Sequence, residues 1–206
     1  MSRLWGRTNS LNVQKVLWTL AELGLAYERS DAGLAFGVVG TPEYLAMNPN
    51  GLVPTIEDNG FRLWESNAIV RYLAARYGSG SLYPEALEER ASAERWMDWQ
   101  QTTLYPPLVP VFLNLIRFPP EKRDMAAVTA NAAEFERRLA IVDRQLAAND
   151  YMNGTRFSMA DIPIGVTVSR WSRLPLERQS RPNVERWLTL LKERPGFKAH
   201  VDVPPS

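Results

Sequence analysis

Val53-Pro54-Thr55-Ile56-Glu57-Asp58-Asn59-Gly60-Phe61-Arg62-Leu63-Trp64 is the stretch on which the reading of this chain turns. Val53 to Glu57 has the composition of a strand, Asp58-Asn59-Gly60 that of a tight turn, and Phe61 to Trp64 that of the returning strand. Just before it, Asn48-Pro49-Asn50-Gly51 signals a turn. Just after it, Ser66 can cap a helix that buries Ile69, Val70 and Leu73 and ends at Gly78. Further toward the N-terminus, Thr41 and Pro42 mark the start of a short helix, and Ala32 to Gly40 is Gly-rich and irregular. Ala26 to Arg29 reads as a strand. A helix from Asn12 to Gly24 carries Val13, Val16, Leu17 and Leu20 on one face. Arg3 to Gly6 is a first strand, separated from that helix by the polar break Arg7 to Ser10. The order βαβ-α-ββα predicts an α/β domain, with a parallel unit joined to a hairpin and helices packed on the sheet.

Beyond Gly78 the pattern changes. Residues 79–84 read as a linker, and no strand pattern follows them. The expected domains are therefore 1–78, α/β, and 85–206, all helical. In the second, Glu85 to Ile116 reads as helix, with Pro106, Pro107 and Pro110 bound to kink or break it. Glu121 to Ala148, Met159 to Trp171 and Val184 to Arg194 read as three more helices. Ser158-Met159-Ala160-Asp161 has the spacing of a capping box, with Phe157 and Ile162 placed as a hydrophobic staple. Pro163 is expected to bend the helix that follows.

The bulk numbers narrow the function. In 206 residues, 45% are hydrophobic and 23% charged, an ordinary globular balance. A net charge of +1 gives no field that would draw the chain to nucleic acid or an anionic membrane. With no cysteine and one histidine, a disulfide, a thiol nucleophile and a structural zinc site are all set aside. The N-terminus lacks the pattern of a signal peptide, and no apolar run approaches the roughly 20 residues of a membrane span. A cytoplasmic protein is the expectation.

Three places carry chemistry, and each also has a plainer structural reading. Ser10 lies where a strand turns into a helix, beside free N–H groups and the positive end of the dipole. A thiolate there would gain a hydroxyl hydrogen bond and the dipole; the plainer reading makes Ser10 or Asn12 an N-cap only. Pro54 has no N–H to give a sheet, and a cis Val53–Pro54 bond would turn the Val53 backbone outward as an edge for a peptide. Glu65 and Ser66 again sit at a helix start, where an acid and a hydroxyl match the two charges of an α-amino acid head. Taken together, the three ask for a thiol, a peptide unit and an amino-acid head, which glutathione provides.

The motifs Leu4-Trp5-Gly6-Arg7, Ser10-Leu11-Asn12-Val13-Gln14-Lys15-Val16, Asn48 to Pro54, Glu65-Ser66-Asn67-Ala68-Ile69 and Phe157 to Ile162 occur here in one order. In that combination the chain resembles the bacterial cytosolic glutathione transferases of the theta-like, serine- or asparagine-using kind. The resemblance covers nearly the whole chain. It implies a thioredoxin-like N-terminal domain, an all-α C-terminal domain, and attack of the glutathione thiolate on a small hydrophobic electrophile. Ser10 would stabilise the thiolate, with Asn12 as rival or helper. Leu52, Val53, Pro54, Glu65 and Ser66 would hold glutathione. Leu11, Tyr105, Phe112 and Trp171, with Trp99, are candidates to line the second-substrate pocket. No metal and no tightly bound cofactor is implied, and a homodimer is. Many relatives carry Lys or Arg where this chain has Leu52, so the glycyl carboxylate needs another partner, Lys15 and Arg7 being nearest in sequence. A glutathione-dependent disulfide or peroxide reductase and a non-catalytic binding module are the alternative readings.

Overall fold

The computed structural model describes residues 2–204; Met1 and residues 205–206, at the outer ends of the two expected domains, lie outside the described residues. Strands β1 (Ser2–Trp5), β2 (Tyr27–Ser30), β3 (Thr55–Asp58) and β4 (Phe61–Trp64) form one sheet in the order β2-β1-β3-β4. β1 and β2 are parallel, which requires a crossover, and helix α1 (Leu11–Glu22) supplies it. β3 runs antiparallel to both neighbours, so Ile56 faces Leu4 on one side and Leu63 on the other. α2 (Pro42–Leu45) and α3 (Ser66–Tyr77) complete a thioredoxin-like half. Leu4, Val13, Val16, Leu17, Leu20, Ile56, Ile69 and Leu73 form its core. Each such side chain contributes about 1.5–3 kcal/mol when removed from water.

The local chemistry departs from the sequence reading in instructive places. β3 begins at Thr55 rather than Val53, because Pro54 has no N–H to give the ladder. Asp58 stays paired with Phe61, leaving a two-residue turn in which Asn59 and Gly60 both take positive φ, 51° and 84°. Ser66 is not a cap but the first residue of α3; Glu65 holds the cap position with φ 71° and makes no capping bond.

The remaining elements are helical: α4 (Leu87–Trp99), α5 (Tyr105–Phe112), α6 (Met125–Leu146), α7 (Asp161–Ser172), α8 (Pro182–Glu193) and α9 (Pro195–His200). The expected helix 85–116 starts at Leu87 and runs unbroken to Arg117, in alternating α- and π-helical segments. Residues 100–104 and 113–117 form π-turns around α5. In the first, the Tyr105 N–H reaches back five residues to the Gln100 carbonyl, so the wider turn carries the chain past Pro106 and Pro107. The expected helix from Glu121 starts later, at Met125, because the Asp124 side chain accepts from the Ala127 N–H and fixes the start. Pro163 falls third in α7, where its missing N–H removes no intrahelical bond, so the expected bend has no cause. α9 escaped the sequence reading. A large core unites α4–α9 with Trp18 of α1, and includes Phe135, Trp171 and Trp187.

Helix α1 is buried on almost every side. One face packs on the sheet; the other carries Trp18 to Phe197 and Phe157, ring centroids 5.0 and 5.4 Å away. Gly165 and Gly196 allow that approach: a Cβ at Gly165 would lie 3.1 Å from the Trp18 ring, and one at Gly196 only 2.8 Å. The Trp18 indole N–H donates to Glu22, which also pairs with Arg194 at 2.6 Å. The capping box is present in part: the Ser158 N–H donates to Asp161 at 3.0 Å, while the Ser158 hydroxyl accepts from Ala160. Asp161 also accepts from the Met152 N–H and the Trp187 indole. Among the described residues no helix is long and apolar enough to cross a membrane.

Candidate active site

The N-terminus of α1 borders two cavities. Ser10 is its N-cap, with extended backbone (φ −78°, ψ 124°), and its carbonyl accepts from Gln14 at 2.9 Å. Its side chain makes no capping bond, so the buried hydroxyl is left uncommitted at the positive end of the helix. It opens on a cavity of about 200 Å³ whose apolar wall includes Leu11, Tyr105, Leu108 and Phe112. Burial pushes the Tyr105 phenol above its ordinary range, so it stays a neutral donor or acceptor. Three arginines, Arg7, Arg117 and Arg170, line the same cavity.

One residue-pair further along the helix, Asn12 faces a smaller, polar cavity of about 50 Å³. Leu52, Val53, Pro54, Glu65 and Ser66 border it. The Val53–Pro54 peptide bond is cis. The Ser66 hydroxyl donates to Asn12 Oδ1 at 3.3 Å, fixing the Asn12 side chain with its amide N–H₂ still available. Behind Ser66 lies the ammonium of Lys15, bonded to Ser66 Oγ (3.3 Å), Asn67 Oδ1 (3.1 Å) and Gln100 Oε1 (3.1 Å). Burial holds the Lys15 ammonium down to about 7, with Glu65 pulling the other way. Gln100 is anchored in turn by Thr167 of α7, at 2.8 Å, and Asn67 by the Met97 carbonyl. Glu65 itself is exposed and receives only Gln101, at 3.4 Å.

The structure thus gathers Asn12, Leu52, Val53, Pro54, Glu65 and Ser66 at one cavity, and Ser10, Leu11, Tyr105 and Phe112 at the other. Trp171 does not reach either. It is buried in the helical core, stacked on Phe135 at 4.2 Å, with its indole N–H on Glu136. Trp99 packs edge-on against Trp96. For both, core packing claimed the aromatic ring. Neither Lys15 nor Arg7 borders the polar cavity beside Leu52; Asn48 and Asn50 do. The sequence reading passed over the burial of Lys15 and the place of Arg117 and Arg170. A signal existed for two of them. Lys15 shares the spacing Leu11-Lys15-Trp18, an apolar stripe at i, i+4 and i+7, and Arg170 is the lone cation in the buried run from Ile162 to Trp171.

Comparison with known proteins agrees with this geometry. Residues 2–75 match the family model described as glutathione S-transferase, N-terminal domain. The chain is 45% identical to glutathione S-transferase GstB of Escherichia coli (strain K12), with 100% of both chains covered. It superposes with a TM-score of 0.96 and 43% identity on the theta class glutathione S-transferase of Xanthomonas axonopodis pv. citri with glutathione bound, covering 100% of this chain and 99% of that one. The glutathione transferase BmGSTD1 of Bombyx mori gives a TM-score of 0.86 at 31% identity, over 98% and 93% of the two chains.

Proposed function

The chain belongs to the glutathione S-transferase family, and from that premise we propose how its two cavities divide the work of a glutathione transferase. The polar cavity takes glutathione. Glu65 and Ser66 meet the γ-glutamyl ammonium and carboxylate, and the Val53 backbone beside Pro54 meets the cysteinyl unit. Since Leu52 brings no cation, the glycyl carboxylate falls to uncharged donors on the 48–51 turn. The thiol then points to the seam between the cavities, at the start of α1. A second substrate occupies the larger cavity, against Leu11, Tyr105 and Phe112. The protein acts as a homodimer.

The observation that supports this division is the Ser10 hydroxyl, uncommitted and buried at the α1 N-terminus on the wall of the larger cavity, two residues before Asn12 on the polar one. A free thiol has a pKa near ~8.5, so neutral solution holds little thiolate. A charge-assisted O–H···S⁻ bond and the helix end both favour the anion. The thiol proton passes to water, the sulfur forms a bond to the electrophilic carbon, and the leaving group departs with its electron pair. Asn12 offers a second donor from the polar side, which is the rival reading. The two are separated by titrating thiolate absorbance in the binary complex. Ser10→Ala is expected to raise the bound thiol pKa by about one unit or more, roughly 1.4 kcal/mol. The acidic limb of the pH–rate curve, along which rate climbs as the thiol ionises, should move to higher pH with it, and activity should partly return at high pH. A large upward shift in Asn12→Ala with none in Ser10→Ala would assign the role to Asn12.

A further inference from the structure

The wall of the larger cavity carries more positive charge than a hydrophobic second substrate calls for. Arg7, Arg117 and Arg170 line it, and no aspartate or glutamate does among the described residues. Arg170 comes from α7 and is 7% exposed. Its partners are neutral, the Asn9 carbonyl at 3.1 Å and Gln14 Oε1 at 3.0 Å, so they orient its charge without neutralising it. Arg7 leaves its buried Nε without a hydrogen bond. Two guanidinium groups approach the Phe112 ring, Arg170 at 5.0 Å and Arg117 at 5.5 Å from its centroid. Burial, with the positive charge of Arg117 adding to it and Tyr105 pulling the other way, pushes Arg7 and Arg170 below the ordinary arginine range. Like charges gathered in a half-closed, largely apolar cavity repel one another at a cost, which an anion between them would relieve.

We propose that this cavity selects a single-ring electrophile bearing a carboxylate, which Arg7, Arg117 and Arg170 hold while Phe112 and Tyr105 flank the ring. The proposal rests on reading that cavity as the second-substrate site. Its size suits one ring: about 200 Å³ here, against roughly 150 Å³ for an apolar cavity that accepts benzene. Guanidinium groups pair with carboxylates in a forked geometry, so these arginines give orientation as well as attraction. With the carboxylate held by the arginines, the ring lies against Phe112 and Tyr105 in the same cavity that Ser10 lines, within reach of the thiolate. In the reaction a C–S bond forms and the bond to the leaving group breaks, the halide taking the electron pair. The carboxylate is unchanged.

The test compares 4-chloro-3-nitrobenzoate with its methyl ester under saturating glutathione, each rate divided by its uncatalysed rate. The expected result is a larger rate enhancement for the acid in the wild-type protein. The acid-to-ester ratio should fall about tenfold or more in Arg7→Gln/Arg117→Gln, the worth of one charge-assisted hydrogen bond. Equal or better handling of the ester by the wild type, or an unchanged ratio in a folded variant, would overturn the proposal. Calorimetry of glutathione on both proteins separates the causes. Wild type that binds no glutathione defeats the underlying reading instead. A variant that loses glutathione affinity as steeply as it loses acid turnover assigns the arginines to glutathione and also overturns the proposal. If circular dichroism shows the variant unfolded, inhibition of the wild type decides. Benzoate, competing with the electrophile, should act at a concentration about tenfold or more below benzamide; equal potency would reject the carboxylate site.

Discussion

Glu65 combines two properties that rarely meet: a left-handed backbone (φ 71°) in a residue other than glycine, and a charged side chain left exposed beside a polar cavity. Such backbone strain costs of order 1–3 kcal/mol and persists where the surroundings enforce it. Glu65→Ala is expected to weaken glutathione binding by about 1–2 kcal/mol, between the worth of an exposed ion pair and that of a charge-assisted hydrogen bond. Calorimetry showing wild-type affinity in the folded variant would remove Glu65 from the site. Asp161 makes the opposite case of a charge fully enclosed. It accepts from Met152, Ser158 and Trp187, so Asp161→Ala strands three donors in the interior. The expected loss is about 3 kcal/mol or more, read as a lower urea midpoint at unchanged slope. At this scale the sequence was partly legible. Glu65-Ser66 and Ser158 to Asp161 stand out as patterns, because helix starts draw on few residue types. That Glu65 would take the cap and Ser66 turn to Asn12 was not legible, because it depends on where α1 lies.

Among the elements, α1 decides most. Its first stripe, Val13-Val16-Leu17-Leu20, is plain in the sequence and packs on the sheet. Its second, Leu11-Lys15-Trp18, was obscured by the lysine, which propensity and charge assign to solvent. The α4–α5 segment was obscured differently. Pro106, Pro107 and Pro110 argue for a break, whereas π-turns let the helix pass. The seam of α1 with α7 and α9 gives a direct test. In Gly165→Ala the new methyl would meet Leu191 at 2.8 Å and the Trp18 ring at 3.1 Å, both enclosed side chains. The expected destabilisation is about 1–3 kcal/mol, measured by chemical unfolding. An unchanged midpoint would show that this seam yields freely.

For the whole molecule, two buried charges shape the response to pH. Burial lowers Lys15 from 10.5 to about 7, so above that the folded state holds fewer protons here than the unfolded chain. Stability is therefore expected to rise from about pH 7 toward 10.5 as the unfolded ammonium titrates. Burial raises Asp161 from 3.8 to about 6, so its contribution falls as pH rises through that window. Urea midpoints of Lys15→Met should lose the alkaline rise that the wild type shows between about pH 7 and 10; a rise that survives would mean other groups cause it. The proposed homodimer predicts a light-scattering mass of twice 23.4 kDa at micromolar concentration. The edge strand β4, with Phe61 and Trp64 exposed, offers a second copy an apolar surface. A helix enclosed like α1 also bears on how the sequence can drift. From Leu11 to Leu20 every position but Asn12 is buried, against the sheet, against the helical half, or beneath the polar cavity. In a saturation library selected for folded protein, this decapeptide should tolerate the fewest replacements, while the exposed side of α6 should accept nearly any.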